Sequence, residues 1–237
     1  MKLKLFALPY AFGSSYIYND LKNELSSEYD VIALEYPGHG TRFAESMIKD
    51  IKKLANDVYS QICRYIRADE DYAILGYSMG SIVGFEVFNV IKEHKTKEPK
   101  AFFAFASPAP NCKKELEAYE NYNMLDVKNM LLGRQGTPSE ILENTEMLEL
   151  LRPIIINDLI ALRDYSDEYS NIKIDCPLIV VQGAKEERPE DIKLSYKEWV
   201  KFSEGETSYY EIEGGHFFMF ENQKNLCDCC QIIKKNL

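Results

Sequence analysis

The chain has 237 residues, 46% of them hydrophobic, with 12 glycines and 9 prolines. That length and apolar content suit one domain with a sizeable core, and they exclude a low-complexity or disordered chain. A formal charge of −10 with dispersed Lys and Arg excludes the basic footprint on which nucleic-acid binding relies.

The first predicted element is the apolar strand LKLFALP, residues 3–9, followed by a helical pattern from Tyr16 to Leu25. DVIALEYP is a second strand, rich in β-branched and aromatic residues and ended by Pro37. From Met47 to Ile66 apolar residues recur at helical spacing: Ile48, Ile51, Leu54, Ala55, Val58, Ile62 and Ile66. Asp71–Gly76 is a short buried strand, Ser81–His94 a helix, and Lys100–Ala106 a further apolar strand. Helical patterns then fill Met124–Leu132, Glu140–Leu151 and Ile154–Tyr165. PLIVVQ and residues 206–212 are the last strands, and a helix from Gln223 closes the chain. Near-continuous apolar strands alternating with helices predict a parallel sheet covered on both faces. The helical stretch at about 111–170 interrupts that alternation and is expected to form a lid inserted into a single domain of residues 1–237.

No stretch approaches the roughly 20 apolar residues that span a bilayer. The opening MKLKLFALPY has too short an apolar run for a secretory leader. A cytoplasmic chain is expected, with its six cysteines as thiols. Cys227, Cys229 and Cys230 cluster, but no second cysteine pair has zinc spacing, so no metal site is expected.

The chemistry centres on Gly76-Tyr77-Ser78-Met79-Gly80, a G-x-S-x-G between an apolar strand and a helix. That context is the nucleophile elbow, a sharp strand-to-helix turn that presents a strained serine. The following helix points the positive end of its dipole at Ser78. A serine hydroxyl needs a base. His39 lies in a turn upstream of Ser78, and His94 sits in a charged, solvated stretch. His216 follows the last strand in Gly214-Gly215-His216, where the order serine, acid, histidine requires the base to be. The acid belongs at the end of the strand PLIVVQ, where Glu186, Glu187, Glu190 and Asp191 are candidates. Two backbone N–H groups should hold the oxyanion. One is that of Met79, directly after the nucleophile; the other is assigned to Ala11, in the loop after the first strand.

Together these residues resemble the type II thioesterases of non-ribosomal peptide and polyketide assembly lines, over nearly the whole chain. The resemblance rests on five motifs in order. LPYAFGSS is close to F-P-Y-A-G-G-S, LEYPGHGTRFAE to P-G-R-G-x-R-x-x-E, and GYSMGS to G-H-S-M-G-A. LRPIIINDLIALRDY precedes Cys176-Pro177, and GGHFF follows the last strand. The resemblance implies an α/β-hydrolase fold and an editing activity. Such enzymes hydrolyse stalled or wrongly primed acyl groups from the phosphopantetheine arm of carrier proteins, without metal or cofactor. It places the triad acid at Glu186, where the family usually has Asp, with Glu187 as the alternative. Tyr77 stands where histidine is usual, and Phe12 where glycine is usual. A bulky Phe12 is expected to narrow the acyl entrance. The expected partner is an acyl-loaded carrier protein, and the expected state is a monomer with no membrane contact. Two other functions fit the same residues: a small-molecule carboxylesterase or lipase, and a non-catalytic acyl-binding member of the fold.

Overall fold

The computed structural model describes residues 2–111, 118–134, 142–166, 173–186 and 196–237. Six strands form one sheet: β1 (Leu3–Leu8), β2 (Tyr29–Ala33), β3 (Tyr72–Tyr77), β4 (Phe102–Phe105), β5 (Leu178–Gly183) and β6 (Thr207–Ile212). Their order is β2-β1-β3-β4-β5-β6, and every pairing is parallel. The chain therefore steps outward from β1 to β2, then crosses back over β1 to β3 and continues to the far edge.

The side chains explain both covered faces. Successive residues of a strand point to opposite sides. Phe6 and Leu8 of β1, Ile74 of β3, Phe102 and Ala104 of β4, and Leu178 and Val180 of β5 enter one core. It is closed by α2 (Ile51–Tyr65) and α3 (Met79–His94). Leu5, Ala7, Ala73, Leu75, Phe103, Phe105, Ile179 and Val181 enter the other. That core is closed by α1 (Asn19–Leu25) and the C-terminal helix α7 (Gln223–Asn236). Because both faces are buried, these strands read as continuous apolar runs in the sequence.

Between β4 and β5 lie α4 (Met124–Arg134) and α5 (Thr145–Asp164). They share a third cluster, with Val127, Leu131, Leu148, Ile155 and Leu159 at its centre. The two helical patterns expected on either side of Pro153 meet in the single helix α5, with Pro153 inside. Proline leaves the carbonyl four residues earlier without its helical donor. That carbonyl belongs to Glu149, which is exposed to water. Downstream of Pro153 the helix buries Ile154, Ile155, Leu159 and Ile160, and this packing carries it through.

Candidate active site

All six strands run the same way, so the loops at their carboxyl ends share one edge of the sheet. Ligand sites of open parallel sheets lie on that edge, where the strand order reverses. Here the reversal falls between β1 and β3, and the loop after β1 faces the turn after β3.

Ser78 occupies that turn with φ 54° and ψ −115°, a backbone conformation that L-residues rarely adopt. The glycines around it are sterically required. A Cβ on Gly80 would run into the Leu8 carbonyl, and one on Gly76 would strike the backbone of Gly80 and Ser81. The Ser78 N–H donates to the Phe105 carbonyl at 2.8 Å, and Ser81 Oγ donates to the Gly76 carbonyl at 2.8 Å. These bonds pin the elbow to β3 and β4. α3 begins at Met79, so its N-terminal turn follows the serine directly, with the Ser81 N–H donating to the Ser78 carbonyl at 2.9 Å.

His216 reaches Ser78 from the loop after β6. Its Nε2 lies 3.1 Å from Ser78 Oγ, and its Nδ1 lies 2.5 Å from Glu186 Oε1. A carboxylate can only accept, so Nδ1 carries the proton and Nε2 is left to receive the serine proton. The loop is clamped by several groups. Gly214 takes φ 128°, which suits glycine. The Gly215 N–H donates to Glu221 Oε1 at 2.8 Å, and Asn225 Nδ2 donates to the Glu213 carbonyl at 2.6 Å. The Tyr77 hydroxyl donates to the His216 carbonyl at 2.7 Å. Burial pushes that phenol well above its ordinary pKa, so it remains a donor. Tyr77, noted as a departure from the usual histidine, thus supports the loop that carries the imidazole.

Glu186 is the acidic candidate that meets His216; Glu187, Glu190 and Asp191 lie outside the described residues. Its second oxygen accepts from the Tyr196 hydroxyl. β5 can approach this loop because its last residue is Gly183: a Cβ there would strike the carbonyl of Gly215.

The loop after β1 is held from outside the sheet. Phe12 has φ 55°, so it fills a left-handed position that costs a non-glycine residue about 1–2 kcal/mol. Its N–H donates to Asp158 Oδ2 of α5 at 2.7 Å. The same oxygen lies 2.8 Å from His39 Nε2, while His39 Nδ1 lies 3.0 Å from the Pro37 carbonyl. Both His39 nitrogens therefore face atoms that only accept, which the imidazolium satisfies. Burial lowers the His39 pKa, but the Asp158 hydrogen bond and charge and the Pro37 carbonyl outweigh it, and the net shift is upward. Glu35 ties the neighbouring loops together, accepting from the Ser15 N–H and hydroxyl at 3.1 and 2.8 Å. The Phe12 N–H is committed to Asp158; Ala11 is buried, as is Met79.

The residues that sequence reasoning missed are Asp158, Tyr165 and Tyr196. The first two belong to the LRPIIINDLIALRDY motif. Asp158 bonds the β1 loop, and the Tyr165 hydroxyl donates to the buried Glu86 of α3 at 2.7 Å. The spacing of that motif was a signal that these polar side chains have fixed partners. His94 is exposed and stacks on Tyr59 at 5.0 Å. Cys229 and Cys230 are buried in α7, where burial pushes the Cys230 thiol up to about 12 and Cys229 higher still.

A family model for the thioesterase domain matches residues 3–234. The chain belongs to the thioesterase family. This thioesterase is 27% identical to the gramicidin S biosynthesis protein GrsT of Aneurinibacillus migulanus, covering 96% of this chain and 87% of that one. It is 25% identical to the human medium-chain S-acyl fatty acid synthase thioesterase, covering 92% and 81%. The crystal structure of ClbQ from the colibactin NRPS/PKS pathway superposes with a TM-score of 0.89 at 23% identity, over 100% of this chain and 97% of that one. The expected α/β-hydrolase fold is thus the fold of this thioesterase. Among the described residues no helix is long and apolar enough to cross a membrane.

Proposed function

We propose that this thioesterase is an editing enzyme that hydrolyses acyl groups from the phosphopantetheine arm of carrier proteins in non-ribosomal peptide or polyketide synthesis. The observation that carries the reading is the run of contacts from Ser78 Oγ through His216 to Glu186, at 3.1 and 2.5 Å. The pathway assignment rests on similarity to GrsT and ClbQ.

In the first step His216 Nε2 takes the Ser78 proton as Oγ attacks the thioester carbonyl. The oxyanion forms beside the N–H groups of Ala11 and Met79, and each such donor is worth about 10²–10³ in rate. The pantetheine thiol departs with the proton from His216. Water, deprotonated by the same nitrogen, then releases the acid and restores the serine. Glu186 holds the tautomer and stabilises the imidazolium. None of these steps calls for a metal or cofactor. α4 and α5 act as the lid over the acyl chain, and their exposed side chains Leu125, Leu132, Met147 and Leu150 offer apolar surface to a docking partner. The enzyme acts as a cytoplasmic monomer.

The test compares hydrolysis of an acyl-loaded carrier protein, the matching acyl-pantetheine and an oxygen ester by wild type and Ser78→Ala. The expected result is turnover fastest on the carrier protein and reduced at least about 10⁴-fold in the variant. Turnover of the oxygen ester alone would make the chain a carboxylesterase. Absence of Ser78-dependent turnover on all three would leave an acyl-binding protein.

A further inference from the structure

Both oxygens of Glu186 are engaged, and only one of them faces His216. Oε1 lies 2.5 Å from His216 Nδ1, while Oε2 accepts from the Tyr196 hydroxyl. Glu186 is 6% exposed and Tyr196 3%, so water competes weakly for either. Tyr196 stands on a rigid frame. It directly precedes the 3-10 helix Lys197–Phe202, and its carbonyl accepts from the Trp199 N–H at 3.3 Å. Trp199 is fully buried, and its indole N–H donates to the Ser107 carbonyl at 3.0 Å. Ser107 lies two residues beyond β4. The phenol is thus tied to the sheet through Trp199 and Ser107.

This arrangement answers a problem that glutamate creates. Compared with aspartate it has one more rotatable bond, and its terminal torsion is soft. A carboxylate held by one oxygen alone can turn about that bond and take its partner off line. A second donor on the other oxygen fixes the plane. We infer that Tyr196 is a positioning residue for the reaction, fixing the Glu186 carboxylate and through it the orientation of His216. It touches no reacting atom. This deepens the proposed function and rests on the triad assigned there.

The groups that face the Glu186–His216 pair are few among the described residues. Ser78 and Tyr77 approach from β3 and the elbow. Glu221, in the short helix α6 (Phe218–Glu221), is turned to the Gly215 N–H. Lys185 and Glu213 pair with each other at the surface. The Tyr196 hydroxyl donates to Glu186 and stabilises its negative charge. Removing its hydroxyl leaves a more basic carboxylate beside Nδ1–H, which favours the imidazolium.

The experiment is Tyr196→Phe, which keeps the ring and its packing. A lost hydrogen bond to a buried charge predicts a kcat lower by about tenfold, with KM unchanged. It also predicts that the acidic limb of the kcat/KM–pH profile moves to higher pH. The position of that limb does not depend on the fraction of enzyme that is folded, so a destabilised variant still reports it. In a Glu186→Asp background the shorter side chain cannot span both partners, and Tyr196→Phe should cause less than a twofold further loss, a coupling that a double-mutant cycle measures. Ser78→Ala serves as control on the same thioester and oxygen-ester substrates. If Ser78→Ala retains turnover, the triad assignment itself fails. If Ser78→Ala is inactive while Tyr196→Phe keeps the wild-type kcat and the wild-type acidic limb, the positioning role alone is overturned.

Discussion

Ser78, Glu186 and His216 hang from the ends of β3, β5 and β6, and their supporting bonds come from groups packed on the sheet: Phe105, Tyr77, Tyr196 and Asn225. The loop after β1 is different. Its Phe12 amide is held by Asp158, which belongs to α5 and is 146 residues away in sequence. The Ser78–His216–Glu186 contacts are therefore held from the sheet, and the β1 loop that carries Ala11 leans on the helical segment. Groups at the strand ends are held by bonds from elements packed on the sheet, whereas the loop that passes through left-handed Phe12 is held by a partner on α5. One consequence is that whatever moves α5 also disturbs the loop assigned to the oxyanion.

The largest effect expected from this contrast follows Asp158→Ala. Asp158 is 1% exposed, and its loss leaves Nε2 of the buried His39 imidazolium and the Phe12 N–H without this acceptor. Breaking a buried pair from one side costs about 3–5 kcal/mol, readable by urea unfolding. Turnover should fall with it while the Ser78–His216 contact persists. A variant that is less stable but keeps full kcat would show that the two halves are uncoupled.

A smaller effect is a pH dependence of stability at the same junction. The folded pKa of His39 is raised above its ordinary value near 6.5. Its contribution to stability is therefore complete below about pH 6.5 and is lost as the pH rises through the folded value. Each unit of the shift is worth about 1.4 kcal/mol. The stability difference between wild type and His39→Gln should shrink over that window, and a pH-independent difference would argue that the pair is neutral.

The smallest effect is that of Phe12→Gly. Glycine removes the left-handed strain of about 1–2 kcal/mol, but it also removes a ring that packs against both the α2–α3 core and the α4–α5 cluster. Net stability should change little. The acyl-chain preference should shift toward bulkier or longer groups, because the ring sits between the sheet edge and the helical segment. An unchanged preference would remove Phe12 from the acyl path.

Much of the fold was legible in the sequence, because a strand buried on both faces is a continuous apolar run. KAFFAFA and PLIVVQ announce β4 and β5 in that way. Ser78 and His216, which lie 3.1 Å apart, stand in local patterns with steric causes, the elbow and the glycine-flanked histidine. The acid was not. Glu186 sits in a run of charges that looks solvated; the fold brings it to His216 Nδ1 by the approach of β5 to the Gly214–Gly215 loop. The motif spacing marks Asp158 as a residue with a fixed partner but not which one, since His39 and Phe12 lie 119 and 146 residues away; Tyr196 has no such signature. Pro153 misled in the opposite sense. A proline marks a helix end by local rules, yet burial on the inner face of α5 overrides it.

The central claim is that an acyl group passes from a carrier protein to Ser78. The direct measurement is rapid quenching of the enzyme with acyl-loaded carrier protein, followed by intact-mass and peptide mapping. The account predicts a transient mass increase equal to the acyl group, located on the peptide that contains Ser78 and absent in Ser78→Ala. An acyl group found on another residue, or hydrolysis with no covalent intermediate and no dependence on Ser78, would contradict it.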